Sequence, residues 1–339
     1  MNRRNFLYAG AVAAAVPAGV KGGVPEKGAQ RLPLGKLQAF ERLGYGMFIH
    51  FGMSTFVVNE LPDGKAPARE YNPDRLDVDQ WVQVIRDAGM KYAVLTTKHV
   101  AGHCLWPSRQ TDYTVANSGN KTDVVEAFVK ACQKHKIMPG FYYCSWDNHH
   151  LMGSVTWSGL KKGEKAYTTS LYQDFQTAQI TELLRNYGPI GEVWIDIPDV
   201  LGHGYRRFLY EHIAGLQPGT LIMMNSGISD QAKYDFDRNW PSDLIAIERR
   251  LPPPSGHQQW REYQGKRYYL PGEVCDPIGK DWFYVEGDQP RPDAELEELY
   301  TQSRKRGANL LLDVGPDQHG LICERFRAAL LRLSRHVRG

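Results

Sequence analysis

Asp196 closes the short apolar run Glu192-Val-Trp-Ile-Asp196, and Pro198 and Gly202 break the chain just beyond it. In parallel barrels the chemistry sits at the C-terminal ends of the strands, so a carboxylate at such a position is a candidate for catalysis. The pattern repeats along the chain: His50, His99, Asp147, Glu248 and Glu273 each lie at or just after a strand-like run. Two carboxyl groups among His and Trp side chains are the minimum apparatus for breaking a glycosidic bond. An ionised carboxylate attacks or stabilises the anomeric carbon as positive charge builds on it, and a second, protonated carboxyl gives its proton to the departing oxygen. Asp196 is the candidate nucleophile, weighed against the ordinary role of an Asp capping a turn. The proton donor has two candidates. Glu248 is followed by Arg249 and Arg250, and adjacent positive charge lowers a carboxyl pKa. Glu273, in Leu270-Pro-Gly-Glu-Val-Cys275, has no adjacent basic residue. It is therefore preferred as an acid held protonated near neutral pH, with Glu248 kept open.

The same strand ends supply sugar contacts. His50 ends Phe48-Ile-His50, and His99 ends Val94-Leu-Thr-Thr-Lys-His99, with His103 and Trp106 soon after. A lone His on a strand is more often a satisfied core residue than a ligand, so repetition carries the argument here. Tyr142, Tyr143, Trp146, Asp147, His149 and His150 form a polar and aromatic cluster after the next strand, and Trp194 precedes Asp196 by two. The chain holds eight Trp and eighteen Tyr; most aromatic side chains serve core packing, and the remainder can stack on sugar faces. Adjacent side chains on an extended strand point oppositely, so His149 and His150 are not expected to share a metal ion. No metal or cofactor is expected.

These residues need a frame, and the hydrophobic pattern gives one. Strand-like runs cover Tyr45–Phe51, Tyr92–Thr97, Met138–Cys144, Glu192–Asp196, Leu221–Asn225, Leu244–Glu248, Leu270–Cys275 and Asn309–Val314. Helical periodicity lies between most of them, at Asp77–Ala88, Thr122–His135, Tyr172–Tyr187, Arg206–Leu216, Asp293–Arg306 and Ile322–His336. Near-continuous apolar strands alternating with helices imply a parallel sheet covered by helices, and seven or eight units suit a (β/α)8 TIM-like barrel. An open doubly wound sheet is the competitor, but no Gly-x-Gly-x-x-Gly follows the first strand. Arg249 to Arg267, rich in Pro and Gln, reads as a long loop, and no C-terminal β-sandwich is expected after the last helix.

Composition bounds the rest. The chain has 339 residues, 42% hydrophobic and 23% charged, ordinary for a globular enzyme. A formal net charge of +3 gives no ground for a nucleic-acid partner. Asn2-Arg-Arg-Asn-Phe-Leu7 followed by an Ala-rich stretch to Val16 resembles a twin-arginine signal. Residues 1–18 are thus expected to be a signal peptide, 19–33 a linker and 34–339 the catalytic barrel. That makes the protein periplasmic or secreted, with no membrane contact in its mature form. The five cysteines, Cys104, Cys132, Cys144, Cys275 and Cys323, show neither a disulfide framework nor a zinc spacing.

Taken together, several runs resemble the α-L-fucosidases of glycoside hydrolase family 29. Gly44-Tyr-Gly-Met-Phe-Ile-His-Phe-Gly52 is similar to the family's opening strand. Tyr92 to His99 with Gly102, Cys104-Leu-Trp-Pro-Ser108 and Thr111-Asp-Tyr-Thr-Val115 follow its second-strand signature. Asp123-Val-Val-Glu126, Pro139-Gly-Phe-Tyr-Tyr143, Gln179 with Glu182, Asn186-Tyr-Gly-Pro189 and Val193-Trp-Ile-Asp196 continue the likeness, which closes with Gly307-Ala-Asn-Leu-Leu-Leu-Asp-Val-Gly-Pro316. The resemblance implies a retaining exo-glycosidase acting on fucosylated glycans, on a distorted (β/α)8 barrel. It implies Asp196 as nucleophile, His50 and His99 as fucose ligands, Glu273 as acid/base, Tyr143 as a sugar contact and Glu60 as a sugar-binding carboxylate. The chain also departs from the family. Lys98-His-Val-Ala-Gly-His103 stands where the family usually has Lys-His-His-Asp-Gly-Phe, and Asn225-Ser226 lacks a customary Arg. Losing groups that hydrogen-bond a hydroxyl can change the substrate. The alternatives are another L-sugar or a substituted fucose on the same fold and mechanism, or a weakly active carbohydrate-binding protein.

Overall fold

The computed structural model describes residues 26–28, 30–151, 169–227 and 235–338. The expected signal peptide, and residues 19–25 of the expected linker, lie outside them. Eight parallel strands form the centre: β1 (Tyr45–Ile49), β2 (Tyr92–Lys98), β3 (Met138–Cys144), β4 (Glu192–Asp196), β5 (Leu221–Asn225), β6 (Ile245–Glu248), β7 (Gly272–Pro277) and β8 (Ala308–Asp313). Their order is β5-β4-β3-β2-β1-β8-β7-β6, with every neighbouring pair parallel. The sheet curls into a barrel whose ends, β5 and β6, meet without a regular ladder.

Helices α1 (Leu34–Leu43), α2 (Val78–Asp87), α3 (Val124–His135), α4 (Ser170–Asn186), α5 (His203–Leu216), α6 (Asp293–Lys305) and α7 (Glu324–Arg338) belong to the surrounding layer. Their starts follow local chemistry. The Asp77 carboxylate accepts from the Gln80 amide, Asp123 from Glu126 and Thr169 from Tyr172, each satisfying an orphan donor of a first turn. Trp81, Val82 and Ile85 bury one face of α2, and Gly89, at φ 82°, ends the turn in a conformation that other residues avoid.

Two expectations are corrected. The stretch 249–267, read as a loop, contains half of an antiparallel hairpin, Trp260–Tyr263 with Lys266–Tyr269. Its alternation of charged and aromatic residues is a weak strand signal beside the Pro-rich run before it. The described part of the expected linker is bound to the body rather than loose. Glu26–Lys27 adds a parallel strand to the hairpin, and Gln30 exchanges two hydrogen bonds with the Tyr269 backbone.

The β5–β6 seam is held by one backbone bond, from the Asp243 amide to the Ile222 carbonyl at 2.7 Å, and by side chains. Asp243 Oδ2 accepts from the Ile222 amide at 2.9 Å, and Ser242 Oγ accepts from the Met224 amide at 3.1 Å. Arg31 pairs with the same Asp243 oxygen, and Tyr210 donates to the other at 2.5 Å. Removing one partner of a buried ion pair leaves the other uncompensated. Asp243→Ala is therefore expected to lower stability by about 3 kcal/mol, read from the urea midpoint; a change under about 0.5 kcal/mol would show that the seam closes without it.

Candidate active site

Alternation along each strand decides what faces the barrel interior. On β4, Glu192, Trp194 and Asp196 share the inner face, bottom to top. Asp196 lies at the C-terminal mouth, in register with Asn225 of β5. Glu248 ends β6 beside Cys275 of β7. One amide joins the two acids: Asn225 Nδ2 donates to Asp196 Oδ1 and to Glu248 Oε2, both at 3.0 Å. Both oxygens lie 3.0 Å from one nitrogen, so they stand no more than 6.0 Å apart. Tyr142 OH donates to the other Asp196 oxygen at 2.6 Å. The mouth encloses about 130 Å3, lined by both carboxyl groups with His50, Glu60, His99, Trp194 and Trp282 among others.

Burial raises both acids. Asp196 is pushed up to about 7 by burial first and the Glu248 charge second, against donation from Tyr142 and Asn225. Glu248 is also raised, chiefly by burial. Two interacting carboxyl groups lose protons in two steps that belong to the pair. The step near 7, which the neighbouring charge helps to raise, is the loss of the last proton. Below it the pair holds one proton and one negative charge. Asp196 accepts from two side-chain donors and Glu248 from one, and the Arg249 charge also favours the ionised form of Glu248.

His50 is driven down to about 3 by burial and is neutral, with Nδ1 2.7 Å from Asp313 Oδ1. That contact leaves Nε2 for a ligand. His99 is likewise held well below its ordinary value by burial, and its ring stacks on Tyr142. A register shift between Thr96 and Lys98 at the end of β2 breaks the alternation just before His99. Trp282 lies against His50 at a ring separation of 5.2 Å, with the Arg249 guanidinium 4.8 Å above it.

Of the sequence candidates, the structure gathers Asp196, Glu248, His50, Glu60, His99 and Trp194 at this mouth. The others go elsewhere. Glu273 is on the inner face but one layer deeper, level with Ala246 rather than Glu248. It accepts from Tyr92 OH at 2.6 Å and from Trp194 Nε1 at 2.9 Å, fully buried beside Glu192. β7 runs on to Pro277, so a residue read near a strand's end lies near its start. Tyr143 points outward, donating to Gln179 on α4 at 2.7 Å; Tyr142 takes the inward place. Trp106 donates to Glu182 on the same helix. His103 meets Ser118 at 2.8 Å between Tyr71 and Tyr113, and Trp146 donates to Asn148 at 2.6 Å. Asp147 is raised by burial, but Lys98 and His150 outweigh that and hold it below the ordinary range. The site residues missed were Tyr142, Asn225 and Trp282. A count of alternate residues back from Cys144 would have found the first.

A parallel α/β barrel with paired carboxyl groups at the C-terminal mouth defines the class of a glycoside hydrolase. The family model described as alpha-L-fucosidase matches residues 65–339. The chain is 33% identical to alpha-L-fucosidase 1 of Arabidopsis thaliana, over 86% of this chain and 58% of that one. It is 31% identical to an alpha-L-fucosidase of Branchiostoma floridae, over 78% and 55%. Alpha-L-fucosidase isoenzyme 1 from Paenibacillus thiaminolyticus superposes with a TM-score of 0.73 at 27% identity, covering 89% of this chain and 75% of that one. The chain thus belongs to the α-L-fucosidase family of glycoside hydrolases, and spans 58% and 53% of the first two curated relatives it matches.

The pair's titration can be followed by carboxyl 13C NMR. Glu248→Gln removes the neighbouring charge and should move the Asp196 step below about 7, whereas Tyr142→Phe removes a donor to the anion and should move it up. Shifts of opposite sign are the expected result; equal or absent shifts would break the assignment.

Proposed function

We propose that the protein is a retaining exo-α-L-fucosidase in which Asp196 is the nucleophile and Glu248, not Glu273, is the acid/base. The observation that carries the reading is the single Asn225 amide bridging both carboxyl groups. Retaining glycosidases hold their two carboxyl groups roughly 5–5.5 Å apart, and inverting enzymes leave more room for a water. Asp196 attacks the anomeric carbon as Glu248 passes its proton to the departing oxygen. Glu248 then takes a proton from water, which attacks the glycosyl ester and releases the sugar with its configuration retained. His50, His99 and Glu60 supply hydrogen bonds to the ring hydroxyls. Val100 and Leu61, also on the wall, offer an apolar surface suited to the methyl group of a 6-deoxy sugar. A mouth of about 130 Å3 has room for one sugar ring, which accords with removal of terminal residues. The export expected from the N-terminal sequence accords with a periplasmic or secreted enzyme meeting fucosylated glycans.

Release of nitrophenol from an aryl α-L-fucoside is the direct test. Asp196→Ala should reduce turnover by roughly a thousandfold or more. Glu248→Ala should be rescued by azide, giving the retained glycosyl azide, and Glu273→Gln should keep most of kcat in the folded protein. No turnover by the folded wild type would overturn the fucosidase reading, and azide rescue of Glu273→Ala instead would overturn the assignment of the acid. The pH profile follows from the pair. As pH rises through about 7 the last proton leaves and no acid remains, so kcat/KM should fall; at low pH both groups are protonated and the nucleophile is lost. A flat profile between about pH 5 and 9 would contradict this.

A further inference from the structure

At the opposite end of the barrel from the catalytic mouth, where the strands begin, lies a hollow of about 480 Å3. The ends of α1, α2, α6 and α7 and the residues that open β1 and β2 surround it. Arg42, Arg86, Lys91, Arg304 and Arg338 line it, and no carboxylate does. The chain's formal net charge is only +3, so this concentration is local rather than a share of a basic surface. Cations complement the carbonyl ends of helices, and that accounts for part of the cluster. Arg338 donates to the Asp87 carbonyl at 2.7 Å, and Arg304 to the Glu41 and Ala308 carbonyls at 3.1 and 2.9 Å. Arg86 pairs with the Asp87 carboxylate. Two cations are left over: Lys91, outside any helix, and Arg42, whose side chain meets no carbonyl. Both are exposed, and neither side chain makes a hydrogen bond or ion pair to another described residue.

We propose that this hollow is a binding site for a sugar carrying a sulfate or phosphate ester. Guanidinium groups present forked donors that match the oxygens of such esters. Arg304 and Arg338 are held by the carbonyls they cap, so their charge is in place before a ligand arrives. Two glycines make room for them. An added Cβ at Gly44 would stand 3.1 Å from Arg304 Cζ, and one at Gly89 3.4 Å from Arg338 Nε. Leu43, Tyr45, Tyr300 and Val337 stand on the same wall. Their apolar and aromatic surface suits the C–H faces of a sugar rather than a bare ion. The buried Tyr45 hydroxyl has no hydrogen-bond partner among the described residues, which leaves a spare donor on that wall. A concave hollow of this size takes a small ligand. No carboxyl or imidazole group lines it, so the site holds its ligand and cleaves nothing.

Isothermal calorimetry on the whole chain tests the site with glucose 6-sulfate, glucose 6-phosphate, glucose and inorganic sulfate. Both esters should bind the wild type and glucose should not. Raising NaCl from about 50 mM to about 300 mM should weaken the esters, because the charges are exposed and screened by salt. Arg42→Ala combined with Lys91→Ala should lower the affinity for both esters about tenfold or more. Both side chains are exposed, so the urea midpoint of this double variant should match the wild type and exclude a folding defect. Three results would overturn the site: no binding of either ester by the wild type, equal ester affinity in wild type and double variant, or inorganic sulfate binding as tightly as glucose 6-sulfate. Binding is read without turnover, so the site stands or fails independently of the activity proposed above.

Discussion

The two NH bonds of Asn225 tie the site together at the one seam where the barrel lacks a ladder. Between β5 and β6 no run of backbone pairs closes the cylinder. The lower seam is stitched by Ser242 and Asp243 to the backbone of β5, and the upper seam by Asn225 reaching Glu248 of β6. The same amide holds Asp196 of β4. A planar group with two donors fixes both acceptors at once, so one side chain sets the spacing of the acids and ties the upper seam. Carboxyl groups bridged in this way at a buried mouth share a proton near neutral pH, which is the charge state that two-carboxylate chemistry needs.

Below that layer the interior carries a second pair of acids with a different role. Trp194 Nε1 donates to Glu192 and to Glu273, at 2.9 Å each, while its ring forms part of the floor beneath Asp196. Burial raises both glutamates, Glu192 well above its ordinary value and Glu273 to about 7. A proton on this pair relieves like-charge repulsion in a closed space. Glu273 therefore has a raised pKa but does not line the mouth, where its partner Trp194 stands instead. A shifted pKa nominates a functional group only when geometry lets that group reach the bond.

The signature runs divide in the same way. His50 and Asp196 face the mouth, whereas Gln179, Glu182 and Trp106 fasten α4 to the loop after β2. Gly102, at φ 83°, lets that loop pass Asp147, where an added Cβ would come within 2.4 Å of its carboxylate. Such residues hold the frame, and none of them is among the residues that line the mouth.

The eight strands and the main helices were legible because each is a local matter: apolar runs, 3.6-residue spacing, Asp and Thr caps, Gly stops. Asp196 was legible for the same reason, since β4 ends where its apolar run ends. Tyr142 was exchanged for Tyr143, and Glu273 for Glu248, because in each case a displacement of one or two residues changes the face or the layer. The hairpin at Trp260–Tyr269 was hidden by a pattern too short and polar to announce a strand. The sequence by itself determined which elements form and which residue types stand near their ends. Only the tertiary structure decided how deep each side chain sits and which two acids meet. Depth is set by the register between strands distant in the chain, and that register follows from how the whole barrel closes.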